Sequence, residues 1–160
     1  MNLMLSNYKI IPNTGYGNIN FGSDMGNFVE KYGEPEEVDS IDEGDDFSTT
    51  VLHYWKEGVS IFFIGTANPV LAGIETDHHE SELFDVKIMG KTKDDIIALM
   101  KEKGYSNFET EDEEYSGNGD EKDLRISYEH SMMDFFFRDN LLVYMNFGVM
   151  VDENGNIEKV

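Results

Sequence analysis

Two short windows of the chain carry apolar residues at helical spacing. Phe28, Val29 and Tyr32 fall at i, i+1 and i+4, and Ile96, Ile97 and Met100 repeat that spacing. Each set lines one face of an α-helix. Ser23 or Asp24 is placed to cap the first helix, and Thr92 followed by Asp95 resembles a capping box with Asp in place of Glu or Gln. Beyond each window the pattern turns strand-like. Leu52-His53-Tyr54 and Ile61-Phe62-Phe63 in the first half face Ile126-Ser127-Tyr128 and Phe135-Phe136-Phe137 in the second. Glu57-Gly58 and Ser131-Met132 fall at the hairpin turns, and a further strand follows each hairpin, Val70 to Thr76 and Leu141 to Phe147.

The two halves align. The helical positions are related by an offset of 68 residues and the strand positions by 74, so the second half carries a six-residue insertion between helix and hairpin. Residues 34–46 and 109–123 fill that interval with closely spaced Asp and Glu and read as acidic, turn-rich loops. The expected fold is α+β: two tandem copies of helix plus antiparallel strands, residues 8–78 and 84–150, within one compact domain and followed by a tail at 151–160. Neither copy buries enough apolar surface alone. Their sheets are expected to join edge to edge with both helices on one face, leaving the other face open.

The segment Ile11-Pro12-Asn13-Thr14-Gly15-Tyr16-Gly17-Asn18-Ile19-Asn20-Phe21-Gly22, the helix end Phe28 to Pro35 and the second-copy start Ile88 to Ile96 resemble a group of small acidic bacterial proteins. That group includes candidate immunity proteins of contact-dependent or secreted toxins. The duplicated helix-plus-sheet organisation also resembles the β-lactamase inhibitory protein, a tandem repeat that grips an enzyme with its sheet. The resemblance covers about residues 8–150, and its motifs are structural glycines and core positions. It implies a fold and a binding role, and brings no active site with it. Ser23, where that group tends to have Met, and Gly26 inside the first helix depart from the pattern.

Charge sharpens the picture. The 160 residues hold 33 acids against 12 Lys and Arg, a formal charge of −21. Binding to a nucleic-acid backbone or an anionic membrane is therefore disfavoured, and a basic protein partner is favoured. There is no cysteine, which removes disulfides and thiol chemistry. The N-terminus has no basic n-region and no apolar run reaches membrane-span length, so a cytoplasmic protein is expected.

Catalytic templates are absent: no G-x-S-x-G, H-E-x-x-H or Walker A loop occurs. Gly15-Tyr16-Gly17 reads as a turn. Asp77-His78-His79-Glu80 with Glu82 reads as a solvated linker rather than a metal site, and the stretch from Asp152 to Asn156 reads as a turn rather than a calcium loop. No cofactor and no metal are expected. Strand alternation places His53, Trp55, Phe62, Arg125, Phe136 and Arg138 on the open sheet face. Aromatic and Arg residues on a solvated sheet have the composition of a binding hot spot. The leading expectation is a non-catalytic immunity or inhibitor protein that occupies a basic toxin or enzyme with this face. The alternatives are a small-ligand binder or enzyme centred on His53, self-association through the face, and a DNA mimic.

Overall fold

The computed structural model describes residues 5–42, 48–65, 68–114, 122–152 and 156–158. In chain order the elements are β1 (Lys9–Ile11), β2 (Gly15–Tyr16), β3 (Ile19–Asn20), α1 (Met25–Tyr32), β4 (Glu37–Asp42), β5 (Ser48–Tyr54), β6 (Val59–Ile64), β7 (Val70–Thr76), β8 (Glu82–Leu83), β9 (Val86–Lys87), α2 (Lys93–Glu102), β10 (Glu109–Glu114), β11 (Lys122–Tyr128), β12 (Met133–Arg138), β13 (Leu141–Gly148), β14 (Met150–Val151) and β15 (Ile157–Glu158). One eight-stranded sheet runs β10-β11-β12-β13-β7-β6-β5-β4, all antiparallel. A five-stranded sheet, β3-β2-β1-β8-β9, has one parallel pair, β1 with β8.

The α+β expectation is overturned. Strands take up about half of the described residues, while the two helices have 8 and 10 residues, so the fold is mainly β. Two misread regions account for the difference. The acidic stretches are not loops over 37–42 and 109–114. They are the two edge strands, β4 and β10, of the large sheet. Charged side chains suit an edge, where they oppose pairing with another chain. The second region is the segment between Lys9 and Asn20, which folds with residues 82–87 into the smaller sheet. Here the turn reading of Gly15-Tyr16-Gly17 gives way to a strand. At Gly15 (φ +158) a Cβ would collide with the Ile19 carbonyl oxygen across the β2–β3 pair.

Within the large sheet, the succession of strand, one-turn 3-10 segment and strand recurs at an offset of 74. The 3-10 segments are Trp55–Glu57 and Glu129–Ser131, and a bulge follows at Phe62/Phe63 and again at Phe136/Phe137. The residue that ends each 3-10 turn is left-handed: Gly58 at φ +70 and Met132 at φ +53. The two meanders meet at β7 and β13, where Gly73 pairs with Gly148.

The core lies on one side of the large sheet. Val59, Ile61 and Phe63 of β6, Met133, Phe135 and Phe137 of β12, and Leu142, Met145 and Phe147 of β13 are all buried there. α1 is capped by Asp24, which accepts from the Asn27 N–H (3.0 Å), and it buries Phe28 against Phe63 and Tyr54. α2 is capped by Thr92, which accepts from the Asp95 N–H (3.2 Å), and it buries Ile96 and Met100 in the same core. The small sheet closes this side. Tyr16 is fully buried, its ring edge-on to Phe147 and its hydroxyl bonded to Ser81 Oγ (2.6 Å) and Thr76 Oγ1 (3.1 Å). Ile157 of the tail packs against the core beside Gly22.

Candidate functional site

The opposite face of the large sheet carries the candidate site. Direct cross-strand pairing aligns one residue from each of the eight strands into a row: Glu37, His53, Ser60, Glu75, Asn146, Asp134, Ser127 and Glu109. Every member is polar. Their inward-facing neighbours, such as Val59, Ile61, Ile74, Met133, Phe135, Met145 and Phe147, are core residues, so strict alternation produces the row.

His53 is the hydrogen-bond hub. Its Nε2–H donates to the Asp39 carboxylate (2.7 Å), and its Nδ1 is hydrogen-bonded to the Ser60 hydroxyl (2.7 Å). The carboxylate of Asp39 can only accept, which sets this tautomer. Trp55 stacks on the imidazole at 4.3 Å and 9°, while its backbone N–H donates to the Glu36 carboxylate (2.9 Å). Asp39, His53 and Ser60 thus follow the order of a charge relay. Catalysis would also need donors for an oxyanion. β6 is paired on both sides, which commits its backbone N–H groups to the ladders, and the residue directly beside Ser60 is the acid Glu75.

Glu75 is buried enough that desolvation raises its carboxyl above the ordinary range. Asp77 adds to the rise, while His53 and a hydrogen bond from the Asn146 amide oppose it. Asn146 Oδ1 is itself buried without a hydrogen-bond partner.

Two grooves flank the row. One, of about 300 Å³, lies between the Trp55–Gly58 turn and the second meander, and is lined by Trp55, Ser60, Glu75, Asp77, Arg138 and Tyr144 among others. The other, of about 290 Å³, lies beside the Met132 turn and is lined by Phe62, Ile64, Gly73, Asp134, Asn146 and Gly148 among others. They are counterparts: Gly58 corresponds to Met132, Ser60 to Asp134 and Arg138 to Ile64 at the strand offset. The first is lined about equally by polar and apolar surface, and the second is mainly apolar.

The six residues read from the sequence all stand on this face. His53 and Trp55 are stacked together and Phe62 walls the apolar groove. Arg125 pairs with Glu111 and lies beside Phe136, which stacks on Tyr144 at 4.3 Å. Arg138 makes a bidentate pair with Asp123, both bonds at 3.0 Å. They do not form one cluster. The polar row separates Phe62 from Phe136 across the centre of the face. Sequence reasoning missed Asp39, Glu75, Asn146 and Tyr144. Alternation in β7 and β13 could have placed Glu75 and Asn146 outward, but their meeting depends on a register that no local pattern specifies.

Among the described residues one group could bring three metal-ligand atoms together, Glu37, Asp39 and His53, all within 4.8 Å of one another. The adjacent histidines are arranged differently. His78 is stacked between Tyr8 (4.0 Å) and His79 (4.9 Å), and its Nδ1 accepts from the Glu80 N–H (3.1 Å). Burial, reinforced by His79, holds the His78 pKa below its ordinary value. Of the stretch from Asp152 to Asn156, residues 153–155 lie outside the described residues, and Asp152 Oδ1 accepts from the Asn156 N–H (2.9 Å). Among the described residues no helix is long and apolar enough to cross a membrane.

No protein-family model and no curated protein matches the chain. Among solved structures the chain is similar to an extracellular protein containing an SCP domain from Bacillus anthracis str. Ames, at 18% identity and a TM-score of 0.44. The similarity covers 83% of this chain and 44% of that one, so the chain spans less than half of that protein's length. A likeness this distant defines neither fold nor function.

Proposed function

We propose that the chain is a non-catalytic protein-binding module that holds a basic protein, such as a toxin or an enzyme, against the outer face of its large sheet. The observation that carries this reading is the composition of that face. Trp55 is 54% exposed, Phe62, Phe136 and Tyr144 are half-buried, and acids flank them on both edge strands. The helices and the small sheet bury their side chains on the other side. Aromatic anchors within an acidic surround fit a partner that is steered by charge and held by apolar contact. With a net charge of −21, that partner is basic. A cytoplasmic setting belongs to the same proposal and rests on the cysteine-free composition.

The test is affinity capture from the native host at low salt and at about 0.5 M salt, where the Debye length falls to a few ångströms. A stoichiometric basic protein, released by salt or by Trp55→Ala and retained by the helix-face variant Lys101→Ala, supports the reading. Capture indifferent to Trp55→Ala, self-association alone, or no partner at either salt sinks it. The more polar groove favours a second reading, small-ligand binding or catalysis around His53. There, His53→Ala abolishes turnover or binding of a small molecule while the fold survives.

A further inference from the structure

We propose that the groove between the Trp55–Gly58 turn and the strands carrying Arg138 and Tyr144 is an anchor pocket for one cationic side chain, an arginine or lysine of the basic partner. The inference rests on the protein-binding reading above and names what the partner inserts.

Charge selects the occupant. Glu75 and Asp77 both line the groove, and among the described residues neither forms an ion pair. Arg138, the one cation in the lining among the described residues, is already engaged by both oxygens of Asp123. The lining therefore carries excess negative charge, part of it on a half-buried, partly desolvated carboxyl beside the neutral amide of Asn146. Such a carboxyl gains most from a cation that arrives with hydrogen-bond donors of its own. A guanidinium or ammonium group supplies both.

Shape agrees. About 300 Å³ sits at the lower limit of ligand pockets, enough for one long side chain and little more. Trp55, an indole and so the best partner for a cation among the aromatics, lines the groove together with Tyr144. The rim is fixed in place. Trp55 is pinned by His53 and Glu36, and the Asp77 N–H donates to the Gly58 carbonyl (3.0 Å), tying the strand end to the turn. A Cβ at Gly58 would lie 2.6 Å from Asp77 Oδ1, so glycine there also leaves room for the acid.

Trp55 is the only tryptophan, so its emission reports on this groove and on the stacked His53 beside it. The probes are Nα-acetyl-arginine amide, Nα-acetyl-lysine amide and the neutral isostere Nα-acetyl-citrulline amide, titrated at constant ionic strength. The expected result is a saturable change with the arginine or lysine probe, with a dissociation constant on the order of millimolar. The citrulline probe should bind at least about fivefold more weakly. Glu75→Gln should lose the response while its unfolding midpoint does not fall, which separates lost binding from lost structure. An equal response to citrulline, a response retained in Glu75→Gln, or a response to calcium or zinc ions but to neither organic cation overturns the proposal. The two readings fail separately. Capture that survives Glu75→Gln but not Trp55→Ala or Phe136→Ala keeps the partner-binding face and removes the anchor pocket.

Discussion

The hydroxyl of Thr76 is a buried junction, and replacing it with a methyl group tests the accounting of the fold. Thr76 Oγ1 lies 3.1 Å from Tyr16 Oη and 3.2 Å from Ser81 Oγ, and it accepts from the His78 N–H at 3.1 Å. Tyr16, Thr76 and Ser81 are all fully buried, so none can turn to water. Thr76→Val conserves shape and removes all three bonds. Tyr16 and Ser81 keep each other at 2.6 Å, but the His78 N–H loses its acceptor. A net hydrogen bond is worth about 1 kcal/mol and an orphaned buried group costs about 1–3 kcal/mol, so the two lost side-chain bonds and the orphaned N–H should together cost about 3–5 kcal/mol. Tyr16→Phe removes two bonds yet leaves Thr76 and Ser81 paired, and should cost about 2 kcal/mol. Ser81→Ala should match it. Equilibrium urea unfolding gives the midpoints and slopes that check this. If Thr76→Val costs no more than Tyr16→Phe, the junction is not the fastening between β7 and the small sheet, and the reasoning fails.

Two further outcomes are expected. Because burial raises the folded-state carboxyl of Glu75 above its unfolded value, with Asp77 adding and His53 and Asn146 opposing, the native state keeps this proton to a higher pH than the unfolded chain does. Stability then falls as pH rises from the unfolded value of about 4.5 through the raised folded one, so Glu75→Gln should be more stable than the parent at neutral pH. That advantage should shrink to nothing below pH 4, as urea midpoints across pH 3–8 would show. Phe28→Ala empties a site 3% exposed between Phe63 and Tyr54 and should cost about 3–5 kcal/mol, read in the same assay.

What could be read in the sequence was whatever a single element announces. The spacing of Phe28, Val29 and Tyr32, the caps at Asp24 and Thr92, and the period of two around Phe62 and Phe136 are local signals, and the elements stand where those signals put them. β4 and β10 were illegible because Glu and Asp are depleted from strands in general, and only position at a sheet edge reverses that preference. The small sheet was illegible for another reason. Its strands β2, β3, β8 and β9 are two residues long, too short for a period, and β1 finds β8 across more than seventy residues of chain. Those two omissions turned a mainly β fold into an expected α+β one. The candidate site shows the same division. Alternation placed all six predicted residues on the outer face, but Glu75 meets Ser60 and Asn146 only through the registers of β6, β7 and β13.

The distribution of charge over that face follows from its strand order. Seven interstrand steps of about 4.8 Å separate Glu37 from Glu109, so the polar row runs about 34 Å from edge to edge. The edge strands β4 and β10 are the most acidic strands of the sheet, and the aromatic side chains occupy the strands between them. Carboxylates on an exposed edge are well solvated and contribute little to holding a partner, but they act at a distance and raise encounter rates. In the proposed complex Trp55, Phe62 and Phe136 would act only on contact and would slow dissociation. In the proposed complex Glu75 would belong with the second group despite its charge, because it lies at the centre and is partly desolvated. A carboxyl in that position costs stability in the free protein and regains it only against a cation. The same residue should therefore weaken the fold when the face is empty and strengthen the complex when it is filled.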